Sequence, residues 1–195
     1  EWIELHAGSK CTIECPLVVK PVDEGSSIGV RICQEESEVN DARETLQRTH
    51  GRLMAERLAT GRELTVGIIK NDALPVIEIV PKTGSYDFEA KYQRDDTDYI
   101  LDPALPAGLK ETCQRHALAL WHEIGARDVA RVDFIFDGAE CWVLEINTMP
   151  GFTEHSLVPK AASHNGMNMT TLCGSLVRAA LERHDRIDAN KLARS

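Results

Sequence analysis

Short apolar, β-prone runs separated by polar stretches mark the first third of the chain. PLVVKPV (16–22) and IGVRICQ (28–34) are β-rich runs that bracket EGSSIG, a pattern that predicts a hairpin with a loop of small residues. Residues 35–50 are polar and predict a surface helix. Residues 53–58, 64–70 and 74–80 predict three more strands, the last two joined by a turn at Asn71-Asp72. Between 106 and 125 the period changes: Leu109, Cys113, Ala117, Leu120, Trp121 and Ile124 recur at helical spacing, and Gly125 stops the helix. Residues 129–136 and 141–147 predict a second hairpin around Asp137-Gly138, and a last helix starting near Thr170 is expected to bury Leu172, Leu176, Ala180 and Leu181. Strands and helices mix without strict βαβ alternation. The expected fold class is therefore α+β with antiparallel sheets.

At 195 residues the chain fits one large domain or two small lobes, and 43% hydrophobic with 27% charged residues excludes a disordered, collagen-like or coiled-coil protein. Twenty-two Lys+Arg against 31 Asp+Glu give a net charge of -9. That balance argues against a bulk grip on nucleic acid or an anionic membrane, and leaves room for a local cationic pocket. No apolar run approaches the roughly 18 residues needed to cross a bilayer. Of the six cysteines (11, 15, 33, 113, 141 and 173), Cys11 and Cys15 are close in sequence, with neither a second pair nor a nearby His to complete a zinc site. They are expected to be reduced thiols of a cytoplasmic protein. The chain opens at Glu1 without an initiator Met, which makes a piece of a longer polypeptide the expectation.

The second hairpin carries the most chemistry. Alternation puts Arg131, Asp133 and Ile135 on one face of its first strand and Val132, Phe134 and Phe136 on the other. On the partner strand Val143, Glu145 and Asn147 are expected to point one way, and Trp142, Leu144 and Ile146 the other. Bringing the apolar faces together pairs odd positions with odd, which calls for an odd loop such as 138–140 and sets Asp133 opposite Glu145. Asn147 follows about 6.7 Å along the strand. Three convergent oxygen donors suit Mg²⁺ or Mn²⁺. A solvated sheet face with a salt bridge from Arg131 is the competing reading.

The first hairpin adds Lys20, set in an apolar strand ahead of a glycine- and serine-rich loop that could fold over phosphate oxygens, although an ordinary turn beside a snorkelling Lys has the same sequence. Lys91 lies in SYDFEAKYQRDD (85–96), which is too polar for core and reads as a mobile lid. After Asn147 a Pro-Gly turn leads towards a helix, offering N–H groups and Ser156 to an anion such as a carboxylate, with His155 read as a surface residue.

KPVDEGSSIG, YDFEAKY, RVDF and LEINTMPGFTEHSLVPKAA, in that order, closely resemble the ATP-grasp part of D-alanine-D-alanine ligases over residues 16–183. The resemblance implies two lobes closing on ATP, with 1–57 as part of the central nucleotide lobe, 58–195 as the carboxy-terminal lobe, and the amino-terminal domain missing. It implies that one D-alanine is phosphorylated on its carboxylate and that the amine of a second displaces phosphate, a step in peptidoglycan precursor synthesis. By motif position, Lys20 and Lys91 would hold ATP phosphates. Asp133, Glu145 and Asn147 would hold two Mg²⁺ or Mn²⁺ ions, and Arg131 would steady the tetrahedral intermediate. Ser26 and Tyr92 would orient substrate, while Glu56, Arg57 and Leu58 would read adenine through their backbone. Glu63 would bind ribose, and Ser156 and Leu157 the second D-alanine's carboxylate. Tyr92 after Lys91 goes with D-alanine as acceptor in the family. The resemblance further implies a parent homodimer, and a fragment inactive by itself because contacts to the first D-alanine are absent. Another ATP-grasp ligase with a different amine or a D-lactate acceptor, or a truncated non-catalytic nucleotide-binding module, are the alternatives.

Overall fold

In a computed structural model the described residues are 2–6, 8–25, 27–82 and 97–192, with side chains described to Asp185. The expected lid over 85–96, with Lys91 and Tyr92, and the expected substrate contact Ser26 lie outside them. The chain divides into two compact units, Glu1–Thr60 with Pro81–Asp98, and Gly61–Val80 with Tyr99–Ser195.

In the first unit, β1 (Trp2–Leu5), β2 (Leu17–Pro21), β3 (Arg31–Cys33) and β4 (Leu53–Arg57) form a sheet in the order β1-β4-β2-β3, beside helix α1 (Glu36–His50). The hairpin expected from the two β-rich runs is β2 and β3, paired antiparallel with Val18 opposite Ile32. Because β2 has a period of two, Leu17 and Val19 fall on one face with Leu53, Ala55, Leu5 and Cys33, and the polar-looking helix buries Val39, Ala42 and Leu46 among them. The opposite face of the sheet keeps Val18, Lys20, Met54 and Glu56 in adjacent rows. Strand β1 has no counterpart in the sequence-based expectations.

The second sheet, which apart from Pro81, Thr97 and Asp98 lies in the second unit, holds β5 (Arg62–Ile69), β6 (Asp72–Ala73), β7 (Ile77–Pro81), β8 (Thr97–Leu101), β9 (Val129–Phe136) and β10 (Cys141–Asn147) in the order β10-β9-β5-β7-β8, with β6 on β5. Helix α2 (Leu109–Glu123) lies on the inner face, where Cys113, Ala117 and Trp121 meet Leu64, Val66, Ile68, Val132 and Phe134. Ile124, expected on that stripe, lies past the helix end and is exposed. The strand expected over 74–80 begins only at Ile77, with the two-residue β6 ahead of it at Asp72–Ala73, and the turn sits at Lys70-Asn71, not Asn71-Asp72. Both turn residues have positive φ, 50° and 77°, so Ile69 faces Asp72 across a two-residue hairpin turn. Helices α3 (Leu157–His164) and α4 (Met169–Leu192) complete the unit. Leu172 is fully buried and Leu176 half-buried, but Ala180 and Leu181 are exposed, contrary to the expected buried stripe: at their level α4 turns Ala179 and Arg183 towards the body, where Arg183 pairs with Asp128, and leaves Ala180 and Leu181 on its open side.

Gly67 lies in mid-strand for a steric reason. A Cβ there would meet Leu74 Cδ1 at 3.0 Å and Val158 Cγ2 at 3.3 Å, so the missing side chain is what lets α3 lie against β5. Gly67→Val is expected to destabilise the protein by about 1–3 kcal/mol through overpacking. Gly25→Ala, where a Cβ meets nothing within 4 Å, should stay within about 0.5 kcal/mol of the parent. Urea unfolding midpoints of the two variants check this.

Candidate functional site

Strand β9 alternates as expected: Ala130, Val132, Phe134 and Phe136 are buried, while Arg131, Asp133 and Ile135 line the other face. The pairing Asp133 opposite Glu145 is found, by a different route from the one expected. The loop holds four residues, 137–140, so Cys141 pairs with Phe136, Trp142 with Ile135 and Val143 with Phe134. An even loop pairs odd with even. Left uncorrected, that register would set Leu144 against Asp133 and turn Glu145 into the core. A β-bulge between Val143 and Glu145 takes up Leu144 as an extra residue and restores the pairing of Glu145 with Asp133, Ile146 with Val132 and Asn147 with Arg131. The bulge also corrects the expected faces. Register places Cys141 and Ile146 on the core side, where both pack, and Trp142 on the side of Ile135, its indole N–H donating to Asp137.

The outer face is thus a grid in register. Glu63 stands beside Ile135, Thr65 beside Asp133 and Glu145, and Gly67 beside Arg131 and Asn147. Asp133 is its hub. Its Oδ1 accepts from the Thr65 hydroxyl at 2.7 Å and from Arg131 Nε at 2.8 Å. Its Oδ2 accepts from the second arm of the Arg131 guanidinium at 2.8 Å and from the Asn147 amide at 3.1 Å. The Asn147 amide also reaches Glu145 Oε1 at 3.2 Å, bridging the two carboxylates. Arg131 and Asp133 expose only 15% and 14% of their side chains, so this bidentate pair is largely shielded from water.

Two carboxylates and one carboxamide within hydrogen-bond reach of one another are hard oxygen donors, and two carboxylate charges against one guanidinium leave the cluster one charge negative. That donor set fits a small divalent cation, for which Asn147 would present its carbonyl oxygen rather than its NH₂. Among the described residues no group of three or more His, Cys, Asp or Glu could hold a metal ion, so Asn147 has to complete any such set.

Thr65 was not foreseen. It is 1% exposed, and its sequence context, a Thr in a β-rich run, does not distinguish it from structural threonines. Only the register that sets it beside Asp133 reveals it. The Arg62–Glu78 pair was not foreseen either: the guanidinium donates to both carboxylate oxygens, at 2.7 and 2.6 Å, and to the Ala104 carbonyl. Arg62 is held above its ordinary pKa, chiefly by the hydrogen bond to Glu78.

In the first unit Lys20 Nζ lies 2.6 Å from Glu56 Oε1, both side chains about one-fifth exposed, on the sheet face that also carries Val18 and Met54. Arg57 ends β4 on the opposite face, in register with Leu17, and Leu58 follows the strand. Ser156 precedes α3 and does not cap it; its hydroxyl instead accepts from the Thr153 N–H at 3.0 Å. Leu157 is buried in the first turn, and His155 is exposed as expected.

Residues 3–178 match the family described as D-ala D-ala ligase C-terminus. A D-alanine–D-alanine ligase of Dechloromonas aromatica is 45% identical over 168 residues, covering 86% of this chain and 54% of that protein. The crystal structure of a D-alanine–D-alanine ligase from Bacillus anthracis complexed with ATP superposes with a TM-score of 0.78 at 28% identity, over 95% of this chain and 61% of that one. The VanG D-Ala:D-Ser ligase of Enterococcus faecalis gives 0.74 at 26%, over 85% and 50%. The chain spans about half the length of the curated relatives it matches. With its α+β ATP-grasp fold and these matches, the chain belongs to the D-alanine–D-alanine ligase carboxy-terminal family.

Proposed function

We propose that this chain is the ATP-grasp part of an enzyme that joins two D-alanines through an acyl phosphate, releasing ADP and phosphate. The observation that carries this reading is the convergence of Asp133, Glu145 and Asn147 beside Arg131 on one sheet face. The first unit is then the nucleotide lobe and the second the carboxy-terminal lobe. Lys20, paired with Glu56, exchanges that partner for a phosphate oxygen; its pairing energy is about 1 kcal/mol or less at this exposure, so the exchange costs little. The backbone of Glu56, Arg57 and Leu58 reads adenine, and Glu63 takes the ribose hydroxyls. Asp133, Glu145 and Asn147 hold two Mg²⁺ or Mn²⁺ ions, which when bound screen the phosphate charge. Arg131 steadies the oxyanion of the tetrahedral intermediate. Lys91, Ser26 and Tyr92 contribute the second phosphate contact and orient substrate. The Ser156 hydroxyl and the Leu157 N–H receive the second D-alanine's carboxylate. The parent protein is a cytoplasmic homodimer.

The D-Ala:D-Ser neighbour favours one further reading, a ligase with a different acceptor. Tyr92 within YDFEAKY supports D-alanine instead.

Joined to the preceding part of the Dechloromonas aromatica relative, the chain should release ADP in step with D-alanyl-D-alanine. Glu145→Gln and Lys20→Ala should each lower turnover on the order of a hundredfold, with unfolding midpoints unchanged. Predominant D-alanyl-D-serine or depsipeptide, or unaltered turnover in both variants, overturns the assignment. The 195-residue chain alone should bind Mg-ATP weakly and ligate nothing, since one holder of the two reactants is missing.

Thr65→Val keeps the shape of the side chain and removes one donor from a shielded carboxylate. It should lower stability by about 1.5–3 kcal/mol, and Thr65→Ser should recover most of that, as measured by urea unfolding.

A further inference from the structure

Where α2 meets the start of β10, the sulfurs of Cys113 and Cys141 lie 3.3 Å apart. The other thiols with a described hydrogen bond behave differently: Cys11 and Cys33 direct theirs to the carbonyls of Ile13 and Arg31. The two members of the pair are unlike in access. Cys113 is fully buried, whereas Cys141 is part-exposed and lines an open surface cavity of about 670 Å³ with Phe136, Trp142, Thr112 and His116.

We propose that Cys113 and Cys141 are an oxidisable dithiol, with Cys141 the thiol that meets the oxidant and Cys113 the one that resolves it into a disulfide tying α2 to β10. The oxidant is a peroxide. Cys141, as thiolate, attacks one peroxide oxygen, the O–O bond breaks, and hydroxide leaves to become water, giving a sulfenic acid at Cys141. The Cys113 sulfur then attacks the Cys141 sulfur; the S–S bond forms, the S–O bond breaks, and the departing hydroxide takes the Cys113 proton as a second water. Two thiols lose two electrons and one hydrogen peroxide is reduced to two waters. Closing from 3.3 Å to a bond of about 2.05 Å asks only a small movement of the two side chains.

The acid-base character of the pair assigns the same roles. Cys113 is pushed well above the ordinary thiol range by its hydrogen bond to Cys141 and by burial, while that hydrogen bond draws Cys141 down towards the thiolate. The cluster is apart from Asp133, Glu145 and Asn147: Cys141 lies on the core side of the sheet, and the bulge at Leu144 separates it along β10 from Glu145.

The test treats the folded 195-residue chain with one equivalent of hydrogen peroxide, quenches with an alkylating agent under denaturing conditions, and maps thiols by proteolysis and mass spectrometry. The expected product is a Cys113–Cys141 peptide pair lighter by two hydrogens, formed before any linkage involving Cys11, Cys15, Cys33 or Cys173 and reversed by dithiothreitol. Cys141→Ser, at the more exposed position, should abolish it and leave Cys113 fully alkylated. The proposal is overturned if the other cysteines oxidise while these two are recovered alkylated, or if Cys141 proceeds to sulfinic acid without the link. The parent chain alone gives both of those readouts, so the outcome does not depend on the variant folding.

Discussion

Everything at the candidate site depends on one extra residue in an edge strand. The four-residue loop between β9 and β10 starts the ladder in a register that would carry Glu145 and Asn147 into the hydrophobic core, where two desolvated polar groups would each cost several kcal/mol. Taking up Leu144 as a bulge turns the following residues over, so that Glu145 faces Asp133 and Ile146 returns to the core. The bulge falls at the edge of the sheet, where an unpaired residue disturbs only one neighbour. Val143 and Leu144 remain exposed as a consequence.

Asp133 then becomes the point on which the charges balance. A shielded carboxylate needs donors, and it has them from Thr65, from both arms of Arg131 and from Asn147. Glu145 adds a second negative charge that one guanidinium does not offset. The cluster is thereby held in a fixed arrangement, its carboxylates bonded by neighbours on three different strands rather than by flexible loops. Gly67 belongs to the same design, since its bare backbone admits α3 against the end of this face and so fixes where Ser156 and Leu157 begin their helix.

The first unit solves a simpler problem. One face of its sheet is covered by α1, and alternation leaves the other face with Val18 and Met54 beside the Lys20–Glu56 pair. The ion pair matters less for stability than for keeping the ammonium extended along the sheet.

Period-two alternation was legible in β9 because that strand has one buried and one open face, and burial penalises every residue that breaks the pattern. That is why Arg131 and Asp133 could be placed on one face, and why Asp133 could be set opposite Glu145. The helix over 109–123 was legible for the same reason at period 3.6. Four motifs in order also carried the family. The sequence did not reveal how the pairing is reached, because loop length and bulge trade one residue against another and leave the same partners. It could not single out Thr65, whose importance lies in a neighbour 68 positions away, nor the contact between Cys113 and Cys141, which exists only because α2 crosses the sheet at the start of β10. The exposed Ala180 and Leu181 were misjudged because helical periodicity records which residues share a stripe, whereas burial depends on whether another element lies across it. Local pattern decided the elements and their faces; register, bulge and crossing, which compare segments distant in sequence, were decided only when the chain was packed.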